Sequence, residues 1–258
     1  MTANIFMTAL IILYVFIIGT VIGSFVNVII YRLPNNQSIV RPRSHCPSCN
    51  TALNWKQLLP ILSYLIQRGK CFDCQQPISK QYPLIEFVAG IIFVLIFIVL
   101  GVTWLTLVYW ILAACCIAIF MIDYQYMIIP DKLNLFMFIL GIITTISGLT
   151  IPVMEAIYGS VLGGGILWLI AIVSRGGMGG GDIKFAFAIG LFTGWKLMFL
   201  LLFVASLLGC VYGIINIISN GYQKGKAIPF GPFLVISAMI VLLWGQWLLD
   251  LYITLFVY

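Results

Sequence analysis

The stretch ILWLIAIVSRGGMGGGDIKFAFAIGLF, residues 166–192, joins two apolar runs through a glycine-rich segment that carries a single acid. Each run is apolar enough to belong to a membrane-spanning helix, which needs about 20 mostly apolar residues. Five of the six residues from Gly176 to Gly181 are glycine, and Asp182 follows them directly. The stretch therefore predicts a polytopic membrane protein in which a permissive backbone places one carboxylate beside a helix.

The composition of the whole chain also indicates a membrane protein. Of its 258 residues, 63% are hydrophobic and 8% are charged, and the mean hydropathy is +1.16. Soluble domains carry about 25% charged residues, so a soluble globular protein is excluded. The net charge of +6 fits the excess of Lys and Arg in the cytoplasmic loops of membrane proteins. We expect a lipid bilayer as a partner, and no nucleic acid.

Eight apolar stretches are candidate transmembrane helices. They are residues 5–31, 84–101, 104–122, 134–150, 157–174, 185–195, 197–219 and 230–257. The sixth is short, so it is tilted, half-buried in protein or continuous with the seventh. The predicted fold is all-α and polytopic, with a first transmembrane helix (1–31), a polar insert (32–83) and a membrane-embedded core (84–258).

The basic residues predict the orientation of the chain. The insert holds seven of the thirteen Lys and Arg residues. If the insert is cytoplasmic, eight spans place three further loops on its side of the membrane: 123–133, 175–184 and 220–229. These loops hold five more basic residues, an asymmetry that the excess of cytoplasmic Lys and Arg predicts. Both termini would then face outward.

Two aspartates lie in the motif MIDYQYMIIPD, residues 121–131. Asp123 ends an apolar helix at the predicted cytoplasmic face. An ionisable group at the membrane boundary indicates function, because its burial is costly; the alternative is a helix end in water. Asp131 follows Pro130 and precedes the next apolar run, which is typical of a helix N-cap.

The glycines before Asp182 have more than one interpretation. Glycine permits close backbone approach, so Gly179, Gly180 and Gly181 are predicted to let a loop bring Asp182 into a tight site. A flexible linker and a helix–helix contact built on small residues are the alternatives. The spacing does not fit a phosphate-binding loop, because no Gly-Lys-Ser/Thr follows.

Asp123 and Asp182 are predicted at the same membrane face. Two carboxylates that share a site cannot both ionise easily, so they hold one proton between them. Such a pair can activate a water and protonate a leaving amine, as in aspartic proteases. His45, the single histidine, lies beside a cysteine pair, so no Ser-His-Asp set competes.

The insert carries two CxxC pairs, HCPSCN and KCFDCQ. Their spacing is typical of a site with four thiolate ligands for zinc, formed by Cys46, Cys49, Cys71 and Cys74. Four thiolates close the coordination shell, so the metal would be structural and would fold a segment too small for a core of its own. A redox pair or a vestigial site is the alternative.

Several blocks together resemble the type IV prepilin peptidase family, membrane aspartic proteases with a GxGD motif. The blocks are GSFVNVIIYRLP (23–34), RGKCFDCQQPISKQYPLIE (68–86) with the two CxxC pairs, IDYQYMIIPD (122–131), GGGD (179–182) and IPFGPFL (228–234). They occur in the family's order and cover nearly the whole chain.

The resemblance implies that Asp123 and Asp182 are the catalytic aspartates of an enzyme in the bacterial plasma membrane. It implies prepilins and pseudopilins as substrates, cut at the cytoplasmic face after the glycine that ends a short basic leader. It also implies methylation of the new N-terminus with S-adenosylmethionine, and Glu86 is a candidate acid for that second site.

Two other classes of protein compete with this reading. A proton-coupled transporter would use the intramembrane aspartates as a relay and the glycines to break a helix, but it predicts polar residues deep within several spans. A zinc-stabilised scaffold predicts that changing both aspartates to asparagine leaves function intact.

Overall fold

The computed structural model describes residues 2–221 and 228–256. These residues form α-helices and one short 3₁₀ helix (Trp55–Leu58), with isolated β-bridges in the insert and no named strand in the described ranges. The α-helices are α1 (Thr2–Arg32), α2 (Leu62–Ile66), α3 (Gln81–Leu100), α4 (Trp104–Tyr126), α5 (Asp131–Ile146), α6 (Val153–Val173), α7 (Gly180–Asn220) and α8 (Gly231–Phe256). The predicted all-α fold is confirmed.

Six of these helices are long and apolar enough to cross a membrane, by length and composition. The predicted stretches 185–195 and 197–219 both lie within α7, which consists of two helices that meet at a kink at Gly194. Gly194 has φ 69° and ψ 177°, a backbone conformation that glycine adopts without steric cost. The predicted stretch 134–150 corresponds to α5, whose 16 residues are fewer than the about 20 of a full span.

The helices expose apolar side chains on their outer faces. Phe203 of α7, Trp168 of α6 and Trp247 of α8 are all more than half exposed. A helix that is apolar on every face suits hydrocarbon rather than water. The long helices therefore form a multi-pass membrane protein, as the composition predicts.

The described chain divides into two compact units, residues 1–118 and 119–258. In the first unit, α1 packs against α3. A Cβ at Gly19 would lie 2.8 Å from the Cα of Gly90, and one at Gly23 would lie 2.8 Å from the Cα of Glu86. Small residues let two membrane helices approach this closely, which places the start of α3 directly beside α1.

In the second unit, α7 packs against α5, α6 and α8. At the closest approach of α6 and α7, a Cβ on Gly159 would lie 2.5 Å from the carbonyl oxygen of Gly190. Glycine at both positions therefore lets α6 and α7 pack closely.

The predicted division into residues 1–31, 32–83 and 84–258 stays a prediction. Lys224 and Lys226, two of the basic residues used to predict the orientation, lie outside the described residues.

Candidate functional site

Asp123 lies in the last turns of α4 and is 5% exposed. Its Oδ2 accepts a hydrogen bond of 3.0 Å from the backbone N–H of Gly231, the first residue of α8. A Cβ on Gly231 would lie 2.6 Å from the same oxygen, so only a residue without a side chain lets the amide reach the carboxylate. The start of α8 thus fixes the position of the Asp123 side chain.

Asp182 lies in the first turn of α7 and is 8% exposed. The Gly179 N–H donates to its carboxylate, and a Cβ on Gly179 would lie 2.9 Å from its Oδ2. The other oxygen, Oδ1, is buried and has no hydrogen-bond partner among the described residues. The glycine-rich loop was predicted to continue to residue 184, but the helix begins at Gly180, so a rigid helical turn carries this carboxylate.

The two aspartates interact electrostatically. Within residues 2–221 and 228–256, no hydrogen bond is found between Asp123 and Asp182. The unpartnered Oδ1 of Asp182 leaves one strong acceptor for a water, a substrate or a shared proton. A pair of buried carboxylates in this state has the chemical groups that acid–base hydrolysis requires.

The first turn of α7 is held against the segment between α4 and α5. A Cβ on Gly181 would lie 2.8 Å from the Cβ of Ile129, and the Asn134 Nδ2 donates to the carbonyl of Gly181 at 3.2 Å. A Cβ on Gly180 would meet nothing within 4 Å. Close packing therefore leaves no room for a side chain at residue 181, whereas there is room for one at residue 180.

Asp131 does not cap α5 as predicted. Pro130 occupies the N-cap position and Asp131 is the first helical residue. Its Oδ1 instead forms an exposed ion pair of 2.7 Å with the Lys184 Nζ. Proline is well suited to a helix start because its φ is already near the helical value, and it leaves Asp131 able to face solvent.

Sequence reasoning did not assign a role to Asn134 or Gly231. Asn134 is 3% exposed, and its signal was a single amide between the apolar residues Leu133 and Leu135. Gly231 was within the IPFGPFL block, but only the folded chain shows which carboxylate its amide contacts.

The two CxxC pairs form two similar knuckles. In the first, the Asn50 N–H donates to the carbonyl of Cys46, and in the second the Gln75 N–H donates to that of Cys71. Asn50 and Gln75 both have positive φ, 57° and 58°, a conformation that turns the chain back toward the metal-binding side. The knuckles place one ligand atom from each of four residues within 4.8 Å of one another: Cys46, Cys49, Cys71 and Cys74.

The sulfur atoms influence each other's protonation. Backbone N–H groups of Cys74 and Asp73 hold the pKa of Cys71 below its usual value. The Gln76 N–H acts in the same direction on Cys74, but burial and the neighbouring thiols raise the pKa of Cys74 to about 12. Ionisation of the Cys74 thiol is therefore unfavourable without a metal. A bound Zn²⁺ would reverse this, since a coordinating thiol is deprotonated, and the set of four cysteine sulfurs fits zinc.

Glu86 lies near the start of α3 and is 7% exposed. Its Oε2 accepts a hydrogen bond of 2.7 Å from the Ile61 N–H, and the Ser24 side chain also hydrogen-bonds to it. Ile61 has φ 60°, an unusual conformation for a β-branched residue. Glu86 thus binds the insert to α1 and α3 and lines a cavity of about 380 Å³ in the first unit.

Two related protein-family models match this chain, one after the other along the sequence. The family described as "Bacterial Peptidase A24 N-terminal domain" matches residues 17–100, and the type IV leader peptidase family matches residues 110–214. No solved structure matches the chain.

Several curated relatives carry the name prepilin leader peptidase/N-methyltransferase, including three from different genera. The protein from Aeromonas salmonicida strain A449 is 32% identical over 90% of this chain and 90% of its own length. The one from Neisseria gonorrhoeae is 35% identical over 87% of each chain. The one from Pseudomonas aeruginosa is 31% identical, covering 92% of this chain and 91% of its own.

Proposed function

The chain belongs to the type IV leader peptidase family, and from that membership we propose that it removes the leader peptides of prepilins and pseudopilins. The proposed cut follows the glycine that ends a short basic leader, at the cytoplasmic face of the bacterial plasma membrane. The observation that carries the proposal is the pair of buried, interacting carboxylates at the ends of two helices.

Asp123 and Asp182 are the proposed catalytic residues. One carboxylate removes a proton from water, whose oxygen attacks the carbonyl carbon of the scissile bond. The other, in its acid form, gives its proton to the departing amine, so the pair ends with one proton as it began. The unpartnered Oδ1 of Asp182 supports this role, because it offers an acceptor that no protein group among the described residues occupies.

Gly179, Gly181 and Gly231 position the two carboxylates. At each of these residues a Cβ would lie under 3.0 Å from a catalytic oxygen or from Ile129. Gly180 was grouped with them from the sequence, but the open space around it supports no need for glycine there.

Zinc is the proposed structural cofactor of the insert. Four cysteine sulfurs within 4.8 Å of one another supply the tetrahedral set that structural zinc sites use. Such a site leaves no open position for water, so we assign it to folding rather than to catalysis.

Methylation of the new N-terminus is the proposed second activity, in keeping with the names of the relatives. S-adenosylmethionine would supply an electrophilic methyl group to the free amine that cleavage produces. Glu86 is the proposed acidic residue of that site, since it is buried at a cavity large enough for a small molecule.

Leader cleavage by purified protein in detergent tests the peptidase proposal. The substrate is a prepilin-like peptide with a basic leader, Gly and then Phe, and mass spectrometry follows the new N-terminus. We expect Asp123→Asn and Asp182→Asn each to lower kcat by about 1,000-fold or more, because each removes one partner of a pair that acts as a unit.

Asp131→Asn is the matched control. It makes the same chemical change in the same sequence block, but at an exposed ion pair, which contributes little. Its cleavage rate should stay within about twofold of wild type. Normal cleavage by both Asp123→Asn and Asp182→Asn would refute the two-aspartate mechanism, and proton flux in vesicles that both variants lose would favour the transporter.

A further inference from the structure

The cavity of the first unit has a buried arginine in its wall. Arg32, the last residue of α1, is 6% exposed and lines the cavity of about 380 Å³ together with Glu86. The remaining walls come from the zinc-ligand knuckles, from α2 and from the start of α3. This cavity therefore contains both a buried cation and a buried acid.

The guanidinium of Arg32 is only partly satisfied by the protein. Its Nη1 donates to the carbonyl of Ser38 at 3.0 Å and its Nη2 to the carbonyl of Arg43 at 3.4 Å. A guanidinium has five N–H donors, so several donors of Arg32 remain without a hydrogen-bond acceptor among the described residues. In the part of the chain that the structure describes, the ion pair found is Lys184 with Asp131, and Arg32 has no carboxylate partner there.

A buried guanidinium without an anion is unfavourable, because its charge loses water and gains no counter-charge. The geometry that satisfies it is a carboxylate or phosphate that accepts two parallel N–H bonds. Glu86 does not serve this purpose, since no ion pair joins it to Arg32 in the described residues. The remaining N–H donors of Arg32 are therefore available to an anionic group of a ligand.

Glu86, in the same cavity, favours a ligand that also carries positive charge. A carboxylate group such as Glu86 attracts an ammonium or a sulfonium, and the ring faces of Tyr31 and Tyr64, which line the cavity, attract cations as well. A ligand with an amino-acid headgroup satisfies both signs at once. The volume is within the range of about 300–1,000 Å³ that small-molecule sites occupy.

We propose that Arg32 binds the carboxylate of the amino-acid headgroup of S-adenosylmethionine, the methyl donor proposed above for this cavity. The inference rests on the proposed methyltransferase activity, and it adds the residue that recognises the donor. Glu86 would attract the donor's positive charges. The knuckles of the insert close the wall, which gives the zinc site a role in donor binding.

Binding of S-adenosylhomocysteine, measured by calorimetry on full-length zinc-loaded protein in detergent, tests the assignment without relying on turnover. The second ligand is its decarboxylated analogue, which lacks only the group that Arg32 is proposed to bind. We expect Arg32→Gln to raise the Kd for S-adenosylhomocysteine on the order of 10- to 100-fold, as for a charge-assisted hydrogen-bonded pair. The Kd for the decarboxylated analogue should change by about twofold or less.

Arg68→Gln is the control for the loss of a positive charge. Arg68 lies in the same insert, is exposed and does not line the cavity, so its variant should bind both ligands as wild type does. Zinc content and leader cleavage report whether each variant is folded. If Arg32→Gln loses zinc, Ser63→Phe replaces it as the test, because Ser63 is on the cavity wall and the larger side chain fills the site; S-adenosylhomocysteine binding should then disappear.

Three results would overturn the inference. They are unchanged S-adenosylhomocysteine binding in Arg32→Gln, an equal loss for both ligands in that variant, and unchanged binding in Ser63→Phe. If the wild type cleaves the substrate but neither binds S-adenosylhomocysteine nor methylates the product, the methyltransferase proposal itself fails and this inference fails with it. Wild-type methylation together with any of the three results leaves the proposed methyltransferase activity standing and rejects only the binding of the donor by Arg32 in this cavity.

Discussion

Replacing Gly181 with alanine tests whether close packing of α7 sets the position of Asp182. A Cβ at residue 181 would lie 2.8 Å from the Cβ of Ile129 and 3.3 Å from its backbone N and O. Carbon atoms in contact are about 3.5–4.0 Å apart. The start of α7 and the segment that holds Ile129 must therefore separate by about 0.7–1.2 Å.

A displacement of this size is large for a catalytic group. A misplacement of about 1 Å costs about 100-fold in rate, and overpacking a tight contact costs about 1–3 kcal/mol of stability. We therefore expect Gly181→Ala to lower kcat for leader cleavage by about 100-fold, with a smaller effect on KM, and to lower the melting temperature in detergent. The assay is the same mass-spectrometric cleavage measurement at several substrate concentrations.

Gly180→Ala is the matched control in the adjacent position. Its Cβ meets nothing within 4 Å, and alanine is favoured over glycine in a helix by about 1 kcal/mol. This variant should cleave at the wild-type rate and melt no lower than wild type.

A second substitution tests whether contact with Ile129 causes the loss of cleavage rate in Gly181→Ala. Ile129→Gly removes the Cβ that the new methyl group of Gly181→Ala would meet, so the double variant should recover part of the lost rate, a coupling that a double-mutant cycle measures. Wild-type cleavage by Gly181→Ala, or an equal loss in Gly180→Ala, would show that packing at residue 181 does not position Asp182.

The other predictions concern Asp123, the zinc site and the helix interface. Gly231→Ala would place a Cβ 2.6 Å from the Asp123 Oδ2, so we expect cleavage to fall by about 100-fold; a wild-type rate would show that the α8 amide does not position this carboxylate. Cys71→Ser should reduce bound zinc, measured by elemental analysis, and for the wild type zinc affinity should fall as pH falls, because the ligands must be deprotonated; zinc retention at acidic pH would contradict thiolate ligation. Gly190→Ala should lower the melting temperature, because its Cβ would lie 2.5 Å from the facing backbone of α6, whereas Gly165→Ala has open space and should not; equal melting temperatures would contradict a tight α6–α7 contact.

The sequence was sufficient to predict those features that depend on a local pattern of residues. Long apolar runs predicted the helices because backbone groups in a bilayer must be hydrogen-bonded within the segment. The four cysteines could be grouped from their spacing, since a CxxC turn brings both sulfurs to one side, and the structure places their ligand atoms within 4.8 Å. Continuity of the sixth and seventh stretches was one of three options that the sequence left open, and the non-helical backbone at Gly194 places a kink between them.

Local patterns failed at the ends of helices. Asp131 has the residue type and the neighbours of an N-cap, yet Pro130 takes that position and Lys184, from another helix, pairs with Asp131. The glycine segment was predicted as a loop up to residue 184, because the next apolar stretch begins at residue 185. Glycine also disfavours helices, but α7 packs against its neighbours and begins at Gly180.

The sequence by itself determined the class of protein, and it predicted the pair of acids proposed for hydrolysis and the four cysteines proposed to bind zinc. Those inferences depend on the apolar composition of the chain, on the small number of acidic residues and on the spacing of the cysteines within short segments. The tertiary structure alone decided that the amide of Gly231 contacts Asp123, 108 positions away in the chain, and that Arg32 and Glu86 share one cavity. No periodic pattern encodes such pairs, because they depend on which helices pack together and on how closely small residues let their backbones approach.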